Sequence, residues 1–175
     1  MTVILIHVTT GALQSPNPIF PLGILTPEND PSTELIDVVQ LGERFDSSPL
    51  FREGINNSDF VFTNAYYLGG YIGMGLAQNE DMIDIPLTCI SNDVRGFGIW
   101  QPVDDLRGQD GLYITIEVFA QDTQLMDEMA GYFDSLTPVA QIPLERAGVV
   151  VETFYVYEGR NLQVTQEELL MNHNT

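Results

Sequence analysis

LYITIEVFAQDTQLMDEMAGYFDSL, residues 112–136, holds the two clearest periodicities in the chain. From Leu112 to Ala120 the residues alternate. Leu112, Ile114, Ile116, Val118 and Ala120 fall on one face, Tyr113, Thr115, Glu117 and Phe119 on the other, which is the period of a β-strand. Asp122 is then placed to cap a helix, because its carboxylate can accept the free N–H groups of a first turn. From Thr123 to Leu136 the period changes: Leu125, Met129, Phe133 and Leu136 form one stripe, with Met126 and Ala130 beside it and Asp127, Glu128 and Asp134 mostly opposite. That pattern predicts an amphipathic helix of about four turns, ended by Pro138.

Outward from this unit the signals are mostly those of strands. Downstream, after a proline-containing loop, Ala147–Tyr157 (AGVVVETFYVY) is the most β-prone segment, Glu158-Gly159 reads as a turn, and Asn161–Thr165 as a return strand. The tail from Gln166 reads as one helical turn that frays. Upstream, Asp110-Gly111 makes a turn into the alternating strand. Met82–Ser91 reads as a strand that Pro86 pushes to an edge or bulge, and Phe60–Tyr67 (FVFTNAYY) as another. Gly69, Gly70, Gly73 and Gly75 suggest sharp bends or close backbone approach. Asp46–Asp59 reads as a polar loop, and Ser32–Arg44 fits a short helix or a strand equally. Thr2–Thr9 (TVILIHVT) has the composition of a buried strand. Between it and the rest lie five of the ten prolines, Pro16, Pro18, Pro21, Pro27 and Pro31. Each fixes φ and removes a backbone donor, so residues 11–33 are expected to form an extended arm. Its apolar residues Ile19, Phe20, Leu22, Ile24 and Leu25 have no place in a solvated linker, and they are the candidate interface residues. The expected fold is therefore α+β and mostly β: an antiparallel or mixed sheet, one main helix at about 123–136, and a long Pro-rich arm, in a single domain over 1–175.

Composition narrows the function by exclusion. The chain has 175 residues, 25 acidic against 6 basic, and a formal net charge of −19. Every basic residue is Arg: Arg44, Arg52, Arg95, Arg107, Arg146 and Arg160. Dispersed arginines on an acidic chain do not build a phosphate-neutralising surface. The absence of Lys removes the P-loop and Schiff-base chemistry. With 44% hydrophobic residues the chain is not of the disordered class despite its charge. A high-salt habitat, a surface along which DNA slides without adhering, or a surface imitating DNA would each account for that charge. Cys89 is the single cysteine, so no intrachain disulfide forms. The first ten residues carry no basic signal region, and Tyr66–Ala77 is too short for a membrane helix.

Catalytic patterns are equally sparse. His7 and His173 are the only histidines and are separated by most of the chain, which argues against zinc. Asp104, Asp105 and Asp110 lack the spacing of a calcium loop, and an acidic turn accounts for them. No serine sits in a G-x-S-x-G elbow, and nothing marks Cys89 as a nucleophile. Among 25 acids a close carboxylate pair is uninformative, and Trp100 with seven tyrosines is accounted for by packing. The expectation is a non-enzyme, with no cofactor and no metal.

The unit GLYITIEVFAQDTQLMDEMAGYFDSL, followed by VVVETFYVYEGR, resembles the strand–helix unit of tail-terminator and tail-completion proteins of tailed bacteriophages. The likeness covers residues 111–160. It implies an α+β subunit that closes into a ring at the tail or neck, with copies of itself and other virion proteins as partners, made in the host cytoplasm and located in the virion. No functional residue carries over, because the likeness contains no position-specific motif. A tail-tube or capsid-decorating protein is the near alternative. An acidic DNA-mimic inhibitor of a nucleic-acid-binding enzyme is the alternative from another class, and a carboxylate-pair hydrolase is a third.

Overall fold

The structure is a computed structural model that describes residues 36–91 and 96–171. The Thr2–Thr9 segment, the 11–33 arm and its five candidate interface residues, Ile19, Phe20, Leu22, Ile24 and Leu25, lie outside the described residues.

The described residues begin with helices α1 (Val38–Ser47) and α2 (Pro49–Asn56), then strand β1 (Phe60–Thr63), helix α3 (Tyr66–Leu76) and strand β2 (Leu87–Cys89). A short helix α4 (Phe97–Trp100) and a 3-10 turn (Val103–Leu106) lead to β3 (Gly111–Ile116). Helices α5 (Glu117–Ala120) and α6 (Thr123–Gly131) follow, then the long strands β4 (Phe133–Arg146) and β5 (Val149–Leu162), and α7 (Gln166–Met171). The sheet order is β2-β1-β3-β5-β4. β1 runs parallel to β2 and β3, whereas β5 runs antiparallel to β3 and β4.

Helices cover both faces of this sheet, so β3 is buried along its whole length. Leu112, Ile114 and Ile116 enter one core with Leu41, Phe45, Phe51, Leu68, Ile72, Phe154 and Val156. Tyr113 enters the other with Phe60, Phe62, Met129, Phe133 and Leu162. The alternation read at 112–116 therefore separates two cores rather than core from solvent.

The expected fold class holds as α+β with a mixed sheet, but "mostly β" and a single main helix do not. Among the described residues α1, α2, α3 and α6 each have eight or more residues. The polar 46–59 segment is largely α2, started by Ser48, whose hydroxyl accepts the Phe51 N–H, with Pro49 in the first turn. Asp37 does the same for α1, accepting the N–H groups of Val39 and Gln40. The glycine-rich segment is helix α3, not a series of bends. Its glycines allow close approach: a Cβ on Gly75 would lie 3.1 Å from the Leu41 side chain, and one on Gly42 of α1 2.8 Å from the Gly75 carbonyl oxygen.

Asp122 caps α6 as expected, through the N–H groups of Gln124 and Leu125. The helix stops at Gly131, however, not Leu136. Phe133 opens β4 opposite Leu162, and the apolar stripe continues into the same core from a strand. The expected proline loop is β4 itself. Pro138 and Pro143 are tolerated because, among the described residues, β4 is an edge strand, whose outer donors have no strand partner to lose. Glu158-Gly159 is not a turn, and no return strand follows: β5 runs through both to Leu162. Gly159 sits opposite Gly111 across the β3–β5 pair. A Cβ on Gly159 would lie 2.8 Å from the Phe133 ring, and one on Gly111 2.5 Å from the Phe60 ring. These two glycines admit rings that pack on Phe62, with 5.1 Å between the Phe62 and Phe133 centroids.

Candidate functional site

The connection from β1 to β2 passes through α3 on one face, while Val103 and Leu106 on the way from β2 to β3 pack on the other. Strand order therefore reverses between β1 and β3, and at such a point in an open sheet a crevice forms at the carboxyl ends of the strands. Here each face has its own depression at that end.

On the α6 face, a cavity of about 370 Å³ is walled by Asn64, Ser91, Phe119, Asp122, Glu128 and Met129, among others. Asn64 follows β1 and is buried. Its side-chain oxygen accepts hydrogen bonds from the Tyr113 hydroxyl at 3.0 Å and the Thr115 hydroxyl at 2.7 Å. Burial pushes the Tyr113 phenol pKa well above its usual range. Asp122 is engaged as the cap of α6, and Glu128 accepts the Tyr132 hydroxyl. The buried Cys89 sulfur lies 3.4 Å from the Ser91 hydroxyl. Beside them the Thr63 hydroxyl is fully buried with no partner among the described residues. These polar groups mostly hold one another, which fixes the ends of β1 and β3 in register. His7 and His173 lie outside the described residues.

On the α3 face, β3 ends at Ile116, opposite Phe154, but β5 extends back to Val149. Among the described residues, 149–153 therefore pair with β4 alone and overhang the sheet. The chain leaves the β3 line as α5, and Glu152 fixes the junction. Its carboxylate accepts the Thr153 N–H at 2.8 Å and the Glu117 N–H. Burial, and then the negative charge of Glu117, raise the Glu152 carboxyl pKa against those hydrogen bonds. Gln121 donates to Glu117 at 2.9 Å, and the Tyr155 hydroxyl stands 3.5 Å from the same oxygen.

Two depressions meet there. One, of about 510 Å³, runs between α5 and the overhang and is lined by Glu117, Val118, Gln121 and residues 150–153. The other, of about 600 Å³, is lined by Ile36, Tyr67, Leu68, Tyr71, Ile116, Val118 and Glu152. They share Val118 and Glu152 and so adjoin as two halves of a trough. Val118 is 65% exposed and Val150 47% exposed on its walls. The sheet's other long edge differs: Pro138 and Pro143 interrupt the donor row of β4 and blunt it against pairing.

Three of the described arginines, Arg44, Arg52 and Arg160, are held by acids at the surface, whereas Arg146, at the end of β4, is buried. Arg160 bonds Asp110 and Glu158, both at 2.6 Å; Arg52 joins Asp46 and Asp81; and Arg44 lies 3.7 Å from Glu145. Two of the three aspartates weighed for calcium serve separate ends. Asp110 holds Arg160 and the Asn161 N–H, and Asp104 accepts the Gln166 N–H. Among the described residues no group of three His, Cys, Asp or Glu side chains is arranged to hold a metal ion, and no helix is long and apolar enough to cross a membrane. Trp100 sits on α4 with its ring edge-on to Phe97, and Tyr113 and Tyr132 are core residues.

Sequence reasoning placed no site residue in the trough. Its one signal was Val118, which continued the apolar alternation past the residue where the strand ends. No protein-family model, no curated protein and no solved structure matches this chain.

Proposed function

We propose that this protein is a non-enzymatic structural subunit that assembles with copies of itself into a ring, as a tail or neck component of a tailed-phage particle would. The observation that supports this reading is the trough beside the overhanging half of the β4–β5 hairpin. It combines exposed valines with a strand segment, 149–153, that lacks a strand neighbour on one side among the described residues. Exposed apolar surface next to unpaired strand backbone is the usual footprint of a protein contact. The opposite edge, β4, carries prolines, so the two ends of the sheet are unlike. A contact built from unlike surfaces is head-to-tail, and it closes into a ring or runs on as a tube.

The acidic surface fits a ring through which DNA passes, since like charges repel across a narrow lumen. A tube-forming or capsid-decorating subunit would use the same kind of contact. A DNA-mimic inhibitor would instead stay monomeric and depend on a basic partner.

Light scattering of the full chain across a salt series tests the reading. A discrete multimer is expected, with Val118→Asp and Val150→Asp shifting it toward monomer while leaving the circular-dichroism spectrum unchanged. Both side chains are exposed, so the substitutions act on the contact and not on the core. A monomer at every salt concentration overturns the reading.

A further inference from the structure

We infer that the cavity on the α6 face binds a small amphipathic amine, one that carries a hydrogen-bond acceptor, an apolar body and a cation. This cavity, of about 370 Å³, lies beyond the carboxyl ends of three parallel strands. Asn64 follows β1, Ile90 follows β2, and Phe119 and Asp122 follow β3. Strand order reverses there, which is where open sheets hold small ligands. The volume is near the lower end for ligand sites and suits a single-ring molecule.

Asn64 sets the acceptor end. It is only 9% exposed. The Tyr113 and Thr115 hydroxyls both donate to its side-chain oxygen, which fixes the amide with its nitrogen turned away from them. No described residue accepts from that nitrogen, and it is not sealed from solvent as the Thr63 hydroxyl is. Its two N–H groups therefore open into the cavity that Asn64 lines. Donors held in a buried wall call for a carbonyl or hydroxyl oxygen, and a ligand would bring one. Asp122 and Glu128 set the cation end. Asp122 spends one carboxylate oxygen on capping α6, and Glu128 spends one on the Tyr132 hydroxyl. The second oxygen of each has no donor among the described residues. Ile90, Phe119, Leu125 and Met129 supply the apolar wall. An anion is disfavoured by both carboxylates and by the chain's net charge of −19.

Saturation-transfer NMR and calorimetric titration of the full chain test this, with tyramine and the shorter para-hydroxybenzylamine as probes. At least one of them should bind with millimolar or tighter affinity. Phenethylamine, which lacks the hydroxyl, should bind about fivefold more weakly than tyramine, and para-hydroxyphenylpropionate, with a carboxylate in place of the cation, should not bind. Glu128→Gln keeps an acceptor for Tyr132 and should weaken amine binding about tenfold. Leu125→Trp fills the cavity and should abolish it, with circular dichroism reporting the fold of each variant. Binding of neither amine, equal binding of the hydroxyl-free or the anionic analogue, or unchanged binding in either folded variant overturns the inference. The cavity and the trough lie on opposite faces of the sheet, so failure here leaves the ring reading standing, and a monomeric chain leaves this test intact.

Discussion

The two halves of β5 are both rich in β-formers and have different fates. Residues 154–159 lie between β3 and β4, so Phe154 and Val156 are fully buried in one core while Tyr157 packs against the other. Residues 149–153, VVVET, are as β-prone as their neighbours, yet among the described residues they pair with β4 alone, and Val150 is exposed. Nothing within β5 makes that difference. It comes from β3, which ends at Ile116 when Glu117 begins a helical turn. A strand's composition sets that it pairs. The length of its neighbour sets how many of its edges are filled, and hence whether its side chains stabilise the fold or remain available to another chain.

The sharpest way to break this comparison is to truncate one side chain in each half. Phe154→Ala removes a ring with no exposed surface and should cost about 3–5 kcal/mol. Val150→Ala should change stability by under about 0.5 kcal/mol. Urea unfolding of both variants measures the contrast. Similar losses would mean that the overhang is packed as tightly as the covered half, and the trough would cease to be a candidate surface.

A smaller effect is expected at the residue that fixes β3 beside β1. Asn64→Leu leaves the buried hydroxyls of Tyr113 and Thr115 without their shared acceptor and should cost about 1–3 kcal/mol. If β3 sets where β5 is covered, this substitution should also speed amide exchange at 154–159 while leaving 149–153 unchanged, which hydrogen exchange resolves. Equal acceleration of both segments would show that the hairpin opens as a unit and that the division is one of exposure only.

At the far end of the covered half, Asp110 ties β5 down through Arg160 and the Asn161 N–H. Partial burial raises its pKa, but the hydrogen bonds and charge of Arg160 and the Asn161 N–H outweigh burial, so its carboxyl sits below the ordinary 3.8. A depressed carboxyl contributes stability above its unfolded value, and that contribution is lost as pH falls through the folded one. Asp110→Asn should therefore cost about 1 kcal/mol at neutral pH, and its stability curve should converge with that of the parent only in strongly acid solution. A constant gap down to the lowest accessible pH would show that the loss is packing and not charge.

Much of this frame was legible beforehand, and the misses have physical causes. The alternation at 112–116, the Asp122 cap and the β character of 149–157 were readable because each rests on local spacing. The end of α6 at Gly131 was not, because the stripe Leu125–Met129–Phe133 stays apolar while the backbone changes from helix to strand. What decides that change is the pairing of Phe133 with Leu162, nearly thirty residues away. Likewise Pro138 and Pro143 argue against a strand until β4 is known to lie at an edge. The caps at Asp37 and at Ser48 with Pro49 were present in the sequence and outweighed by the polarity around them. The trough was illegible for a deeper reason. Val118 looks like a core position when read by period, and it becomes a surface one only because β3 stops two residues earlier.

Glu152 offers the smallest and most discriminating test, since it sits where the two halves of β5 meet. Its pKa is raised by burial and by the charge of Glu117, while the N–H groups of Thr153 and Glu117 pull the other way. The folded chain therefore takes up this proton before the unfolded chain does. Stability gains as pH falls through the raised folded value, and the gain is complete below the ordinary 4.5; at neutral pH the buried charge is a net penalty. Glu152→Gln retains an oxygen to accept both N–H groups and removes the charge. It should raise neutral-pH stability by under about 1 kcal/mol, since the site is partly open to solvent, and flatten the curve above pH 4.5. Loss of stability instead would mean that charge-strengthened hydrogen bonds hold the junction. The parent's pH profile of assembly then decides whether the charge serves the contact: if docking a second chain buries Glu152 further, assembly must be favoured as pH falls through the same window, and the Gln variant must lose that dependence.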